Sequence, residues 1–205
     1  LIFCSFVRML FKRKKLVLFI HIPKTAGTSV KDMLHRNYKW DEIKDLYDAD
    51  KGSTGGIRSI TDVHEKLSLK KETRIIYGHY AYGIHRKINR PFTYMCFIRN
   101  PYEHFVSMYF HLKRLDDWWQ VDVLKHLDKR IQTVSDMRRY FAGIEGLAEC
   151  TGIHNQQCMY LTGESPEKIS ENQEYYGRIA IENLKKKFSF IGLTEKFDHS
   201  LLKLS

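Results

Sequence analysis

Residues 16–30, LVLFIHIPKTAGTSV, constrain the fold most, because an apolar run stops abruptly in a loop carrying one lysine, one glycine and the hydroxyl residues Thr28 and Ser29. Leu16 to Ile20 reads as a short buried strand, Pro23 and Gly27 interrupt it, and Thr28 and Ser29 open a helical pattern through Val30, Met33 and Leu34. A helix starting there directs open N–H groups and the positive end of its dipole into the loop. An anion is the natural occupant, with Lys24 as a point charge and the Thr28 and Ser29 hydroxyls as donors. A solvated turn is the alternative reading. The ordinary nucleotide-triphosphatase spacing is absent: that pattern sets lysine directly after its second glycine, whereas Lys24 precedes Gly27.

A second segment, residues 93–114 (TYMCFIRNPYEHFVSMYFHLKR), joins a β-rich apolar run to a marked helix start. Asn100 suits the N-cap, Pro101 the first helical position, and Glu103 a capping-box return to Asn100. Arg99 is thereby held at a strand-to-helix corner. Ser107 lies two turns along, roughly 9 to 11 Å by helical rise, within reach of a phosphate shared with Arg99. The alternative pairs Arg99 with a carboxylate and leaves Ser107 on the surface. A third strand candidate, residues 74–77, runs into Gly78-His79. Neither this strand end nor Arg99-Asn100 carries the carboxylate that would hold magnesium for nucleotide phosphoryl transfer.

With 205 residues and 43% hydrophobic content, the chain can bury a sizeable core without a disulfide staple. Strands alternating with helical patterns predict one α/β domain, residues 1–205, with a largely parallel sheet and an apolar and basic extension at 1–15. Such sheets bind ligands outside the carboxyl ends of their strands, which would gather Lys24, His79 and Arg99 at one edge. Residues 48–56 (DADKGSTGG) read as a flexible turn and residues 116–141 as two helices beside the sheet. Trp118 and Trp119 in that excursion suit either a sugar face or the core. A helix is expected over residues 175–188, with Lys185, Lys186 and Lys187 complementing its C-terminus.

The formal net charge of +10 favours polyanions without naming one. No nucleic-acid motif has the required spacing. The densest basic run, Lys12 to Lys15, is compatible with a solvated face or with peripheral association at an acidic membrane. The apolar opening, residues 1–11, is broken by Arg8 and too short to span a bilayer. Cys150, His154 and Cys158 recur at four-residue intervals, but Gly152 weakens a helix there and no fourth ligand is evident, so no metal is assigned. The chain has no Asn-x-Ser/Thr sequon, which favours a cytoplasmic location over a Golgi lumen reached by an anchor lying outside this sequence.

Together these segments resemble the sulfotransferases that use 3′-phosphoadenosine 5′-phosphosulfate, particularly the carbohydrate branch with the glycosaminoglycan 2-O- and chondroitin-type enzymes. HIPKTAGTS is similar to that family's 5′-phosphosulfate loop, which implies Lys24, Thr25, Ala26, Gly27, Thr28 and Ser29 around the donor. RNPYEHFVS is similar to its 3′-phosphate motif, which implies Arg99 and Ser107. IIYGHY is similar to its strand ending in Gly-His, which implies His79 as general base; His21, His85 and His111 are reserve candidates. Residues 155–163 and 190–204 resemble later elements of the family, the second more closely.

The resemblance implies a P-loop-like, mostly parallel sheet flanked by helices, with the helical excursion shaping the acceptor side. It further implies metal-independent, in-line sulfuryl transfer to a carbohydrate hydroxyl, on an anionic glycan or a neutral one, with the adenosine bisphosphate as product. His79 would take the acceptor proton and Lys24 would neutralise charge on the leaving oxygen. Two other classes remain open: a non-catalytic protein binding heparin-like glycan or nucleic acid, and a nucleotide kinase.

Overall fold

Strand β1 (Leu16–Ile20) is buried at all five positions, as expected of a central strand covered on both faces. The computed structural model of the chain describes residues 15–46, 67–112, 114, 133, 135–136 and 155–204. The turn at 48–56, Trp118 and Trp119 with all of the 116–141 excursion but residues 133 and 135–136, Cys150, His154 and the extension up to residue 14 lie outside the described residues.

Strands β2 (Ile43–Asp45), β3 (Ile75–Gly78), β4 (Phe92–Ile98) and β5 (Phe188–Leu193) join β1 in a sheet of order β2-β3-β1-β4-β5. Every pairing is parallel. The helices are α1 (Gly27–Asn37), α2 (Pro101–Leu112), α3 (Gln156–Thr162), α4 (Pro166–Glu171), α5 (Gln173–Lys187) and α6 (Phe197–Leu204). The fold is α/β, with a P-loop-like parallel sheet flanked by helices, as the sequence predicts.

The period-2 alternation of β1 divides the core between two layers. Val17 and Phe19 pack with Val30 and Leu34 of α1 and with Leu201 and Leu204 of α6. Leu16, Leu18 and Ile20 face the other way, toward Tyr160 and Leu161 of α3 and Ala180 of α5. Each such side chain contributes about 1.5 to 3 kcal/mol of burial. Strand β5 closes one side of the sheet and is half open, with Ile191 and Leu193 exposed. Helix α5 ends in Lys185, Lys186 and Lys187, as read from the sequence, and runs directly into β5.

The start of α2 follows its sequence in part. Asn100 Oδ1 accepts from the N–H groups of Tyr102 (3.0 Å) and Glu103 (3.4 Å), so Asn100 caps the helix. The return to Glu103 is replaced: the Asn100 N–H donates to Glu195 Oε1 at 2.6 Å. Strand β5 lies beside β4 and brings Glu195 to this corner, so a tertiary carboxylate takes the place of the local one. Cys96 and Cys158 are free thiols. Among the described residues, no helix is long and apolar enough to cross a membrane.

Leu18 is fully buried at the sheet centre. Leu18→Ala should therefore lower unfolding free energy by about 2 to 5 kcal/mol through lost transfer energy and a residual cavity. Urea denaturation of the two proteins measures this difference.

Candidate functional site

The carboxyl ends of β1, β3, β4 and β5 open onto a cleft of about 380 Å³. His21, Pro23, Lys24, Ala26, Gly27 and Thr28 line it from the loop after β1 and the start of α1, His79 from just past β3, Arg99 from just past β4, Ser107 and His111 from α2, and Thr194 from the turn after β5. Seven of the residues singled out from sequence thus share one cleft: Lys24, Ala26, Gly27, Thr28, His79, Arg99 and Ser107. Thr25 and Ser29 are not part of its lining. Thr25 is buried and its hydroxyl donates to the Ile22 carbonyl at 2.7 Å, bracing the turn from inside. Ser29 is exposed on the first turn of α1.

The β1–α1 loop is strained and then tied down. Lys24 (φ 62°) and Ala26 (φ 63°) both adopt left-handed backbone conformations that disfavour non-glycine residues. The loop's carbonyls are drawn outward by donors: Pro23 O accepts from His104 Nε2–H (2.9 Å), Lys24 O from Arg99 Nη1–H (3.3 Å), and Gly27 O from the Tyr77 hydroxyl (2.6 Å). Helix α1 has no side-chain cap at Ala26 and no acidic residue in its first turn. The Pro23, Lys24 and Gly27 carbonyls are thus engaged, while among the described residues no side chain caps the start of α1, the polarity an anion requires. Gly27 is fixed by sterics, since a β-carbon there would overlap the His21 imidazole.

Cations reinforce this polarity. Burial, then Arg114 and Arg99, push the Lys24 pKa down. Arg99 Nε is buried with no hydrogen-bond partner among the described residues. Neither Lys24 nor Arg99 has a carboxylate partner among those residues, so the alternative pairing of Arg99 with an acid is not seen. His111, one turn beyond Ser107, is pushed toward its neutral form by burial, Lys24 and Arg114.

His79 stands at the other side of the cleft. Its Nδ1 lies 2.8 Å from the His21 carbonyl oxygen, so the proton of the neutral ring sits on Nδ1 and Nε2 is the acceptor. Its ring stacks on His21 at 4.4 Å between centroids, and His21 stacks on Tyr77 at 5.4 Å. His21 is held neutral by burial first and by His79, Lys31 and Lys24 next. Of the reserve bases, His21 and His111 line the cleft, whereas His85 bonds through Nδ1 to the Tyr94 hydroxyl at 2.8 Å and does not. Sequence reasoning passed over Gln157, whose amide grips the Arg99 backbone, and His104, which anchors Pro23. Periodicity along one segment carries no signal for either contact.

A parallel α/β sheet with a glycine-containing loop and a cleft at the end of its central strand defines a P-loop-like fold. The model of the Sulfotransferase family matches residues 7–204. The chain belongs to the sulfotransferase family. Comparison with curated protein sequences gives no significant match.

The buried histidines set a pH response. Burial is the largest influence on His104 and, against the opposing Pro23 hydrogen bond and with nearby Arg99 and Lys24 adding to it, takes its pKa to about 4. An unfolded histidine titrates near 6.5, so between those values the unfolded chain binds more protons and stability falls as pH falls. Above about pH 6.5 this contribution is complete. His21 acts in the same direction. Urea midpoints measured from about pH 7 to about pH 4.5 should decline, and His104→Gln should flatten that decline.

Proposed function

We propose that this protein transfers a sulfuryl group from 3′-phosphoadenosine 5′-phosphosulfate to a carbohydrate hydroxyl. The observation that carries this reading is the pairing, in one cleft, of a loop with engaged Pro23, Lys24 and Gly27 carbonyls and a histidine whose tautomer is fixed. The buried Arg99 Nε–H, without a partner among the described residues, fits a phosphate oxygen, and Lys24 with the start of α1 fits a second anionic group. The donor supplies an activated sulfuryl group when bound. Lys24 is placed to balance negative charge on the leaving side, and Arg99 with Ser107 to hold the far phosphate. His79 Nε2 is the acceptor for the hydroxyl proton, while the His21 carbonyl holds Nδ1–H and stabilises the imidazolium that results. The carbohydrate acceptor rests on the motif resemblance and on the chain's positive charge, which suits an anionic glycan.

A polyanion-binding protein without catalysis would use the basic surface but has no need of a tautomer-fixed histidine beside the anion loop. A nucleotide kinase would require the lysine spacing that this loop lacks.

Calorimetric titration with adenosine 3′,5′-bisphosphate in magnesium-free buffer tests the donor reading. Binding is expected, and Arg99→Ala should weaken it by about 1.5 to 3 kcal/mol through loss of a charge-assisted contact. Absence of binding by the wild-type chain would overturn the reading.

The catalytic assignment is tested separately with sulfur-labelled donor and a panel of glycans, phenols and small alcohols. His79→Ala should keep bisphosphate affinity while lowering turnover by about a hundredfold or more. Near-normal turnover in the folded variant would move the role to His21 or His111. Transfer confined to phenols would overturn the carbohydrate assignment.

A further inference from the structure

Gln157 makes two short hydrogen bonds to one residue. Its Oε1 accepts from the Arg99 N–H at 2.8 Å, and its Nε2–H donates to the Arg99 carbonyl at 2.8 Å. A backbone N–H can meet only the amide oxygen and a carbonyl only the amide nitrogen, so the contact itself dictates the orientation of the amide. Arg99 is the first residue past the end of β4 and lies just before α2. The amide supplies the pair of backbone bonds that an additional strand would otherwise provide there.

The frame behind that amide is firm. Gln157 is the second residue of α3, whose Tyr160 is fully buried in the core. The Tyr160 carbonyl accepts from the Tyr82 N–H at 2.8 Å, and the Leu161 carbonyl accepts from Asn183 Nδ2–H at 2.9 Å. Helix α3 is thus tied both to the segment after β3 and to α5. The guanidinium of Arg99 spends Nη1 on the Lys24 carbonyl and retains a buried Nε–H without a partner among the described residues.

We propose that Gln157 is a positioning residue for the anion site: by locking the Arg99 backbone, it aims the guanidinium into the cleft before any ligand arrives. This inference rests on the donor reading above. Without the clamp, the corner between β4 and α2 gains freedom that the ligand must remove on binding, and affinity drops accordingly. Only glutamine supplies an acceptor and a donor at this reach. Glutamate would set a carboxylate oxygen against the Arg99 carbonyl and offer the guanidinium a rival partner. Methionine would fill the same volume with neither bond.

The test is a double-mutant cycle read by titration with adenosine 3′,5′-bisphosphate. Gln157→Met should weaken binding about tenfold, a size consistent with two neutral hydrogen bonds acting through position. Gln157→Glu should weaken it at least as much and serves as the isosteric check if the methionine variant folds poorly. In an Arg99→Ala background, Gln157→Met should change affinity by less than about twofold, because the residue that it positions is gone. A merely structural role would give the same fold-change in both backgrounds.

A second readout is the Arg99 Nε–H nuclear magnetic resonance signal, assigned by its loss in Arg99→Lys. Bisphosphate should shift this signal sharply in the wild-type chain and leave it broadened in Gln157→Met. Wild-type affinity in both Gln157 variants, or equal losses in both backgrounds, would overturn the inference while leaving the donor reading intact. Failure of the wild-type chain itself to bind bisphosphate would overturn the donor reading and this inference with it.

Discussion

The contact between Gly27 and the His21 imidazole is the constraint on which the carboxyl edge of the sheet depends. The first residue of α1 sits so close to the ring that no β-carbon fits, and the helix therefore starts hard against the end of β1. The same ring stacks with both His79 and Tyr77, and the Tyr77 hydroxyl returns to the Gly27 carbonyl. One close approach thus fixes the position of the helix terminus, the seat of the candidate base and the path of the loop between them. The left-handed conformations at Lys24 and Ala26 follow, because the chain has few ways to turn from strand to helix in so little space.

Like charges converge at the cleft. Lys24, Arg99 and Arg114 sit near one another, and the positive end of α1 adds to their field. Repulsion and burial together disfavour the charged lysine, which is why its pKa moves down. An anion beside Lys24 would offset the repulsion from Arg114 and Arg99.

Much of this was legible along single segments. The apolar run of β1, the Pro23 and Gly27 interruptions, the Asn100-Pro101 helix start and the Gly78-His79 strand end each announce themselves within a few residues, because turn chemistry and caps are local. Where a distant partner decides the outcome, the sequence is mute. Thr25 and Thr28 look interchangeable, yet the turn sends Thr25 inward to Ile22 and Thr28 to the cleft. Glu103 is well spaced to cap Asn100, but Glu195 arrives with β5 and takes the bond. The Gln157 clamp on Arg99 joins residues that no periodicity relates.

The placement of β5 also bears on how the chain is made. Its partner, β4, ends at Ile98, and β5 itself begins only at Phe188, about 90 residues later. At roughly 5 to 20 residues per second, a ribosome takes about 5 to 20 s to cover that stretch. Throughout this interval, a nascent β4 lacks the strand that pairs with it in the finished sheet, and the Arg99 corner lacks Glu195. The carboxyl edge of the sheet can therefore be completed only after those intervening residues have been made, and until then the β4 side of the sheet is an open strand edge.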